Sequence, residues 1–188
     1  MKNKFVVGID PGKGGGIVTL SNGKIKTVDK MPQSPKYLWD FFIGLGFPSM
    51  VDPRLTWVFI ENVHAMPNDA KGAIWSFAKH IGQLEMLSEL LSMHPTYITP
   101  QSWQKWLSEH PRGLKRQEEY TKPQWKSALA KRAKEDTCNT GQKSWEKYIT
   151  LATADAYWIA LYGWEKIASG QEENTDGSEK IDHKIPIR

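Results

Sequence analysis

Short apolar runs separated by turn residues dominate the first hundred positions, and their lengths sort them into strands and helices. Lys4 to Ile9, Gly16 to Leu20 and Lys24 to Lys30 predict three strands, with Asn22-Gly23 as the tight turn of the second hairpin, so the chain opens antiparallel. Ser34-Pro35 opens a helix whose apolar face is Tyr37, Leu38, Phe41 and Phe42 and which Gly44 and Gly46 end. Trp57-Val58-Phe59-Ile60-Glu61 reads as a buried fourth strand. From about Ala70 to Ser92, Ile74, Phe77, Ile81, Leu84, Leu87 and Leu91 recur at helical spacing, which predicts one long helix packed on the sheet and a candidate dimer face. Thr96 to Thr99 is a fifth short strand, Pro100 opens a helix through Leu107, Pro123 opens another through about Lys134, and Thr153 to Tyr162 has the apolar density of a buried closing helix. The pattern predicts a single α/β domain over residues 1–168, a mixed five-stranded sheet flanked by helices. Residues 108–122, with Pro111, Gly113 and mixed charges, predict a loose insertion, and residues 169–188, with almost nothing to bury, a disordered tail.

Three carboxylates interrupt this apolar pattern in matching surroundings. Asp10 ends the first strand, and Pro11-Gly12 turns the chain away and leaves it at the tip, where a metal ligand would sit. Glu61 ends the fourth strand in the same way, and Asp155 is the one charge near the start of the closing helix. Each alone reads equally as a cap, a turn residue or a structural ion pair. Together they suggest a site.

The ordered blocks Gly8-Ile9-Asp10-Pro11-Gly12-Lys13, Glu61-Asn62-Val63-His64-Ala65-Met66-Pro67, Thr99-Pro100-Gln101-Ser102-Trp103-Gln104-Lys105, and Ala154-Asp155-Ala156 with Ile159-Ala160-Leu161-Tyr162-Gly163 resemble the RuvC family of Holliday-junction resolvases. They span residues 6 to 163 and look most like the RuvC-like members of phages and prophages. The resemblance implies a ribonuclease H-like fold, a homodimer, divalent metal ions and symmetric nicking of branched DNA. It also makes Lys105 the matched lysine of the Thr-Pro-x-x-Trp segment, a phosphate contact or charge stabiliser if it is not simply a solvated helix lysine. His64 lies where related resolvases carry a residue that wedges into the junction; the alternative is a hydrogen-bonded loop histidine.

Charge and composition agree with nucleic acid as partner. The formal net charge is +4, and bases outnumber acids between Gln101 and Thr150, where Lys126 and Arg132 join Lys13, His64 and Lys105 as candidate DNA contacts. Trp103, Trp106 and Trp125 are interleaved with these bases; tryptophans at helical spacing serve either as core or as stacking platforms, with Trp103 read as core. Cys138 is the only cysteine, which excludes an internal disulfide. No apolar run is long enough to cross a bilayer and no signal peptide is visible, so the expected location is the cytoplasm.

Phosphodiester hydrolysis near neutral pH needs an acidified water and a charge sink on the leaving oxygen, both of which a two-metal site supplies. Asp10 as bridging ligand with Glu61 and Asp155 predicts two Mg²⁺ ions, with Mn²⁺ as substitute. Relatives usually carry a fourth acid or histidine a few positions before the last aspartate. Here Ile149, Leu151 and Ala152 are apolar, leaving Thr150, Thr153 or a displaced Glu146 to fill the place. That gap keeps a weakly active or inactive branched-DNA binding module open as an alternative. Gly12-Lys13-Gly14-Gly15-Gly16 also resembles the phosphate hairpin of actin-like proteins, which need two such domains; a Walker A loop is excluded because Gly14 follows Lys13.

Overall fold

The computed structural model describes residues 3–47, 55–62, 71–117 and 119–170. His64 and residues 171–188 of the expected tail lie outside the described residues. Three strands, β1 (Phe5–Asp10), β2 (Gly16–Ser21) and β3 (Lys24–Lys30), form an antiparallel meander, and β4 (Thr56–Glu61) and β5 (Pro95–Ile98) add in parallel on the other side of β1. The sheet order is β3-β2-β1-β4-β5. Asn22 (φ 48°) and Gly23 (φ 76°) both take the left-handed conformation that a two-residue hairpin turn matched to strand twist requires.

Alternation along the strands divides the core in two. Val7, Ile9, Val58 and Ile60 face one layer, built from α1 (Pro35–Gly44) and α2 (Lys71–Leu90) through Leu38, Phe42, Leu84 and Leu87. Val6, Val18 and Phe59 face the other, built from α3 (Pro100–Glu109), α4 (Lys122–Asn139) and α5 (Ala154–Ala168). A short 3-10 helix, Lys143–Tyr148, links α4 to α5. Helix starts are written in hydroxyl-plus-proline signals: Ser34 accepts from the Tyr37 amide ahead of Pro35, Thr99 from the Ser102 amide ahead of Pro100, and Thr121 and Gln124 form a reciprocal capping box around Pro123.

Two expectations change. Helix α4 runs to Asn139 rather than stopping near Lys134, because Asp136 and Thr137 are buried against its neighbours and carry the buried side a further turn. The described residues of the 108–122 segment are tied down instead of loose. Arg112 donates to the Asp136 carboxylate through Nε (2.7 Å) and a second guanidinium nitrogen, the Tyr157 hydroxyl donates to the same carboxylate, and Leu114 and Tyr120 pack on the core. Arg132, a candidate DNA contact, spends its Nε on the carbonyls of Arg112 (3.0 Å) and Gly113 (3.1 Å), so its arrangement is that of a clamp on this segment. Among the described residues no helix is long and apolar enough to cross a membrane.

Candidate active site

Strand parity puts two of the acids side by side. Asp10 and Glu61 end β1 and β4, which are parallel neighbours paired up to Ile9 and Ile60, so both carboxylates leave the same end of the sheet, and parity with Val6 and Phe59 points them to the α5 side. The carboxyl ends of parallel strands beside a change of strand direction are where open α/β sheets bind ligands, and β1 is where this sheet changes from antiparallel to parallel. Helix α5 brings the third acid. Gly8 lets it lie directly on β1: a Cβ there would come within 2.3 Å of the Ala160 nitrogen and 2.5 Å of the Ala156 oxygen. Asp155, next to Ala156 in the first turn of α5, is thereby held beside Asp10.

All three carboxylates are buried, with Asp10 8 % and Glu61 and Asp155 each 7 % exposed. Burial pushes the Asp10 carboxyl well above the ordinary carboxylate range, and the charges of Glu61 and Asp155 push it further. Glu61 is pushed up to about 7, by burial first, although the Trp103 indole N–H donates to its Oε1 at 2.8 Å and favours the ionised form. Asp155 is raised by burial and pulled back by Lys126, whose Nζ lies 3.4 Å from its Oδ2. On Lys126 burial acts against the charge, but the attraction of Asp155 and Asp10 outweighs it and its pKa ends raised. The other oxygen, Asp155 Oδ1, is buried with no hydrogen-bond partner.

The structure thus brings Asp10, Glu61 and Asp155 together and adds Lys126 as their counter-cation. Lys105 sits elsewhere. It is exposed and lines a groove of about 360 Å³ with Trp106, Glu109, Tyr162 and Glu165, beside the half of α5 that lies some 10 Å along the helix from Asp155. Lys13 is exposed on the turn after Asp10. A second groove, of about 470 Å³, is lined by Lys134, Lys143 and Lys147 with Ser144 and Glu146, on α4 and the 3-10 helix. Trp103 and Trp125 are core, while Trp106 is half-buried, stacked on His110 and edge-on to Tyr162. The indole contact of Trp103 to Glu61 and the pairing of Lys126 with Asp155 join residues far apart in sequence, and no spacing in the chain announces either.

The expected substitutes for a fourth ligand are occupied. Thr153 Oγ1 donates to the Tyr148 carbonyl (2.8 Å) and accepts from the Thr150 amide, Thr150 Oγ1 accepts from the Ala152 amide, and Glu146 accepts from the Cys138 thiol. Ala152 lies in the turn before α5, not within the helix. Among the described residues no group of three or more His, Cys, Asp or Glu is arranged to hold a metal as it stands. The donor chemistry nevertheless fits a hard divalent cation: three buried carboxylates, one lysine to balance them and one orphaned carboxylate oxygen.

No family model matches the chain, and no curated protein does. Solved structures do. RuvC of Thermus thermophilus in complex with a Holliday junction substrate superposes with a TM-score of 0.53 at 13 % identity, over 88 % of this chain and 96 % of that one. A second Thermus thermophilus RuvC structure gives the same TM-score and coverage at 16 % identity. The fold is RuvC-like. That likeness and the mixed five-stranded sheet flanked by helices bear out the expected fold class, whereas identity this low leaves the chemistry to the site itself.

Proposed function

We propose that this chain is a divalent-metal-dependent endonuclease that nicks branched DNA, four-way junctions foremost, as a homodimer of the phage or prophage RuvC-like type. The observation that carries the reading is the convergence of Asp10, Glu61 and Asp155 at one buried strand-and-helix corner with an orphaned oxygen on Asp155. Three carboxylates that repel one another in a buried place are costly without cations, and a group of this kind serves as a ligand set for Mg²⁺ or Mn²⁺. The metal ions supply an activated water and a sink for charge on the leaving oxygen. Asp10, Glu61 and Asp155 would hold them, Lys126 offsets part of the carboxylate charge when the ions are absent, and Trp103 fixes the orientation of Glu61. Lys13 and the lysines of the α4 groove lie on the surface, ready to meet the phosphate backbone. Lys105, on its separate groove, fits a backbone contact better than a role at the reacting phosphate.

The dimer reading rests on α2. Trp75 (75 % exposed), Met86 (50 %) and Leu90 (63 %) share an outward stripe at helical spacing with Gly82. Isologous pairing through such a stripe gives the twofold symmetry that nicking two opposed strands of a junction requires.

Purified protein incubated with linear, flapped, three-way and four-way DNA in Mg²⁺ or Mn²⁺ tests the proposal. Paired, symmetry-related nicks in the four-way substrate are expected, lost in Asp10→Asn with junction binding kept or tightened, because one fewer negative charge then faces the phosphates. A second reading, a branched-DNA binding module without cleavage, is favoured by one observation: both threonine hydroxyls near the vacant ligand place are already hydrogen-bonded. Tight junction binding with no nicking in either metal decides for it.

A further inference from the structure

Helix α2 turns a stripe to the core in which Leu84 and Leu87 are the expected apolar members, but His80, one turn earlier on the same stripe, is also buried, 2 % exposed. The imidazole does not simply fill space. Its Nδ1 accepts a hydrogen bond of 3.1 Å from the backbone N–H of Gly12, two residues beyond Asp10. Gly12 takes φ +116°, a conformation that L side chains rarely adopt, and its carbonyl in turn accepts from the Gly15 amide (3.2 Å), whose own carbonyl accepts from Met31 (3.0 Å). The turn that carries the chain away from Asp10 is therefore tied at three points, and His80 supplies a side-chain tie that reaches it from another layer of the fold.

We infer that His80 is a positioning residue for the Asp10 corner: as an uncharged acceptor on α2, it holds the Gly12 amide and with it the turn that sets Asp10 against Glu61. An acceptor at Nδ1 requires that the ring proton sit on Nε2, since imidazolium has no lone pair to offer. Burial, with Lys79 beside it, favours that uncharged form. The inference rests on the nuclease reading for its consequence in catalysis, but the tie itself is a property of the fold and is measured without substrate.

Two variants separate acceptor from filler. In His80→Asn the side-chain oxygen can stand near the place of Nδ1 while much of the ring volume is lost; in His80→Leu volume is largely kept and the acceptor is gone. Amide exchange at Gly12, followed by NMR in the metal-free protein, is expected to be roughly two- to tenfold faster in His80→Leu and close to parental in His80→Asn, the range that one hydrogen bond is worth. The Mg²⁺ dissociation constant should weaken by a similar factor in His80→Leu and recover in His80→Asn. On junction DNA, kcat should fall with KM unchanged. The parent itself gives a third measurement: its ¹⁵N histidine spectrum should show the Nε2–H tautomer at His80. The opposite tautomer, an imidazolium at neutral pH, parental Gly12 exchange in His80→Leu, or a folded His80→Asn as impaired as His80→Leu would each overturn the inference. Should the parent fail to nick any branched substrate, the nuclease reading falls, while Gly12 exchange and the tautomer still decide the role of His80. Should His80→Leu not fold, His80→Asn and the parental tautomer decide it.

Discussion

At the scale of single residues the three acids explain both the site and a cost to the fold. For a carboxylate whose pKa is raised in the folded protein, the native state holds more protons than the unfolded one between the two values. The stabilising contribution is then complete below the unfolded pKa, about 4, and is lost as pH rises through the folded value, about 7 for Glu61. Asp10 and Asp155 shift in the same direction. In the presence of a chelator, the melting temperature of the parent should therefore fall between pH 5 and 8 by more than that of Asp10→Asn, and Asp10→Asn should melt higher at pH 8. Adding Mg²⁺ should restore the parent at pH 8 and help the variant less. Identical pH profiles for the two metal-free proteins would mean that Asp10 does not sense its neighbours.

Among the elements, α4 and α5 hold the site together through the Arg112–Asp136–Tyr157 cluster. Asp136 is 2 % exposed and Tyr157 lies two residues from Asp155 on α5, so the cluster ties the α3–α4 connection to the helix that presents the third acid. Arg112→Ala leaves a buried carboxylate without its cation, and a loss on the order of 2 to 3 kcal/mol is expected, at the low side for a buried pair because the arginine is partly exposed. Urea unfolding measures it; a loss under 0.5 kcal/mol would show the pair to be unimportant. The turn before α5 supports a second test. Ala152 precedes Asp155 by three residues and its neighbours' hydroxyls are engaged; if it occupies the place of the fourth ligand that the family resemblance implies, Ala152→Asp should lower the Mg²⁺ concentration needed for half-maximal nicking several-fold. A metal titration unchanged from the parent removes Ala152 as the vacant position and turns attention to Glu146.

For the whole molecule, the apolar stripe on α2 and the exposed Tyr37 and Ile43 of α1 lie on the layer of the sheet opposite to α5. A second copy docked there leaves the corner formed by α5 and the strand ends uncovered for DNA. If the proposed dimer forms through this stripe, Trp75→Glu combined with Met86→Glu should give a monomer in sedimentation and abolish the proposed paired nicking, with single nicks remaining. A sedimentation coefficient unchanged from the parent would place the dimer face elsewhere.

Much of this was legible in the chain itself. Strand positions, the Asn22-Gly23 turn and the helix starts depend on local rules of period two, period 3.6 and capping, and each of these elements stands where those rules put it. Asp10, Glu61 and Asp155 could be singled out because each is a charge where an apolar run ends or begins. Tertiary structure alone decided which cation meets them. Lys126, Lys105 and Arg132 look alike in sequence, yet one pairs with Asp155, one lines a distant groove and one clamps two carbonyls. The same holds for His80 and Trp103, whose hydrogen bonds to Gly12 and Glu61 cross 68 and 42 positions of chain. Local preference follows from neighbours within a turn or two of chain, so sequence spells it out. The partner of a long side chain depends on how separate layers pack, and a difference of one rotamer or one helix turn moves its charge by several ångströms.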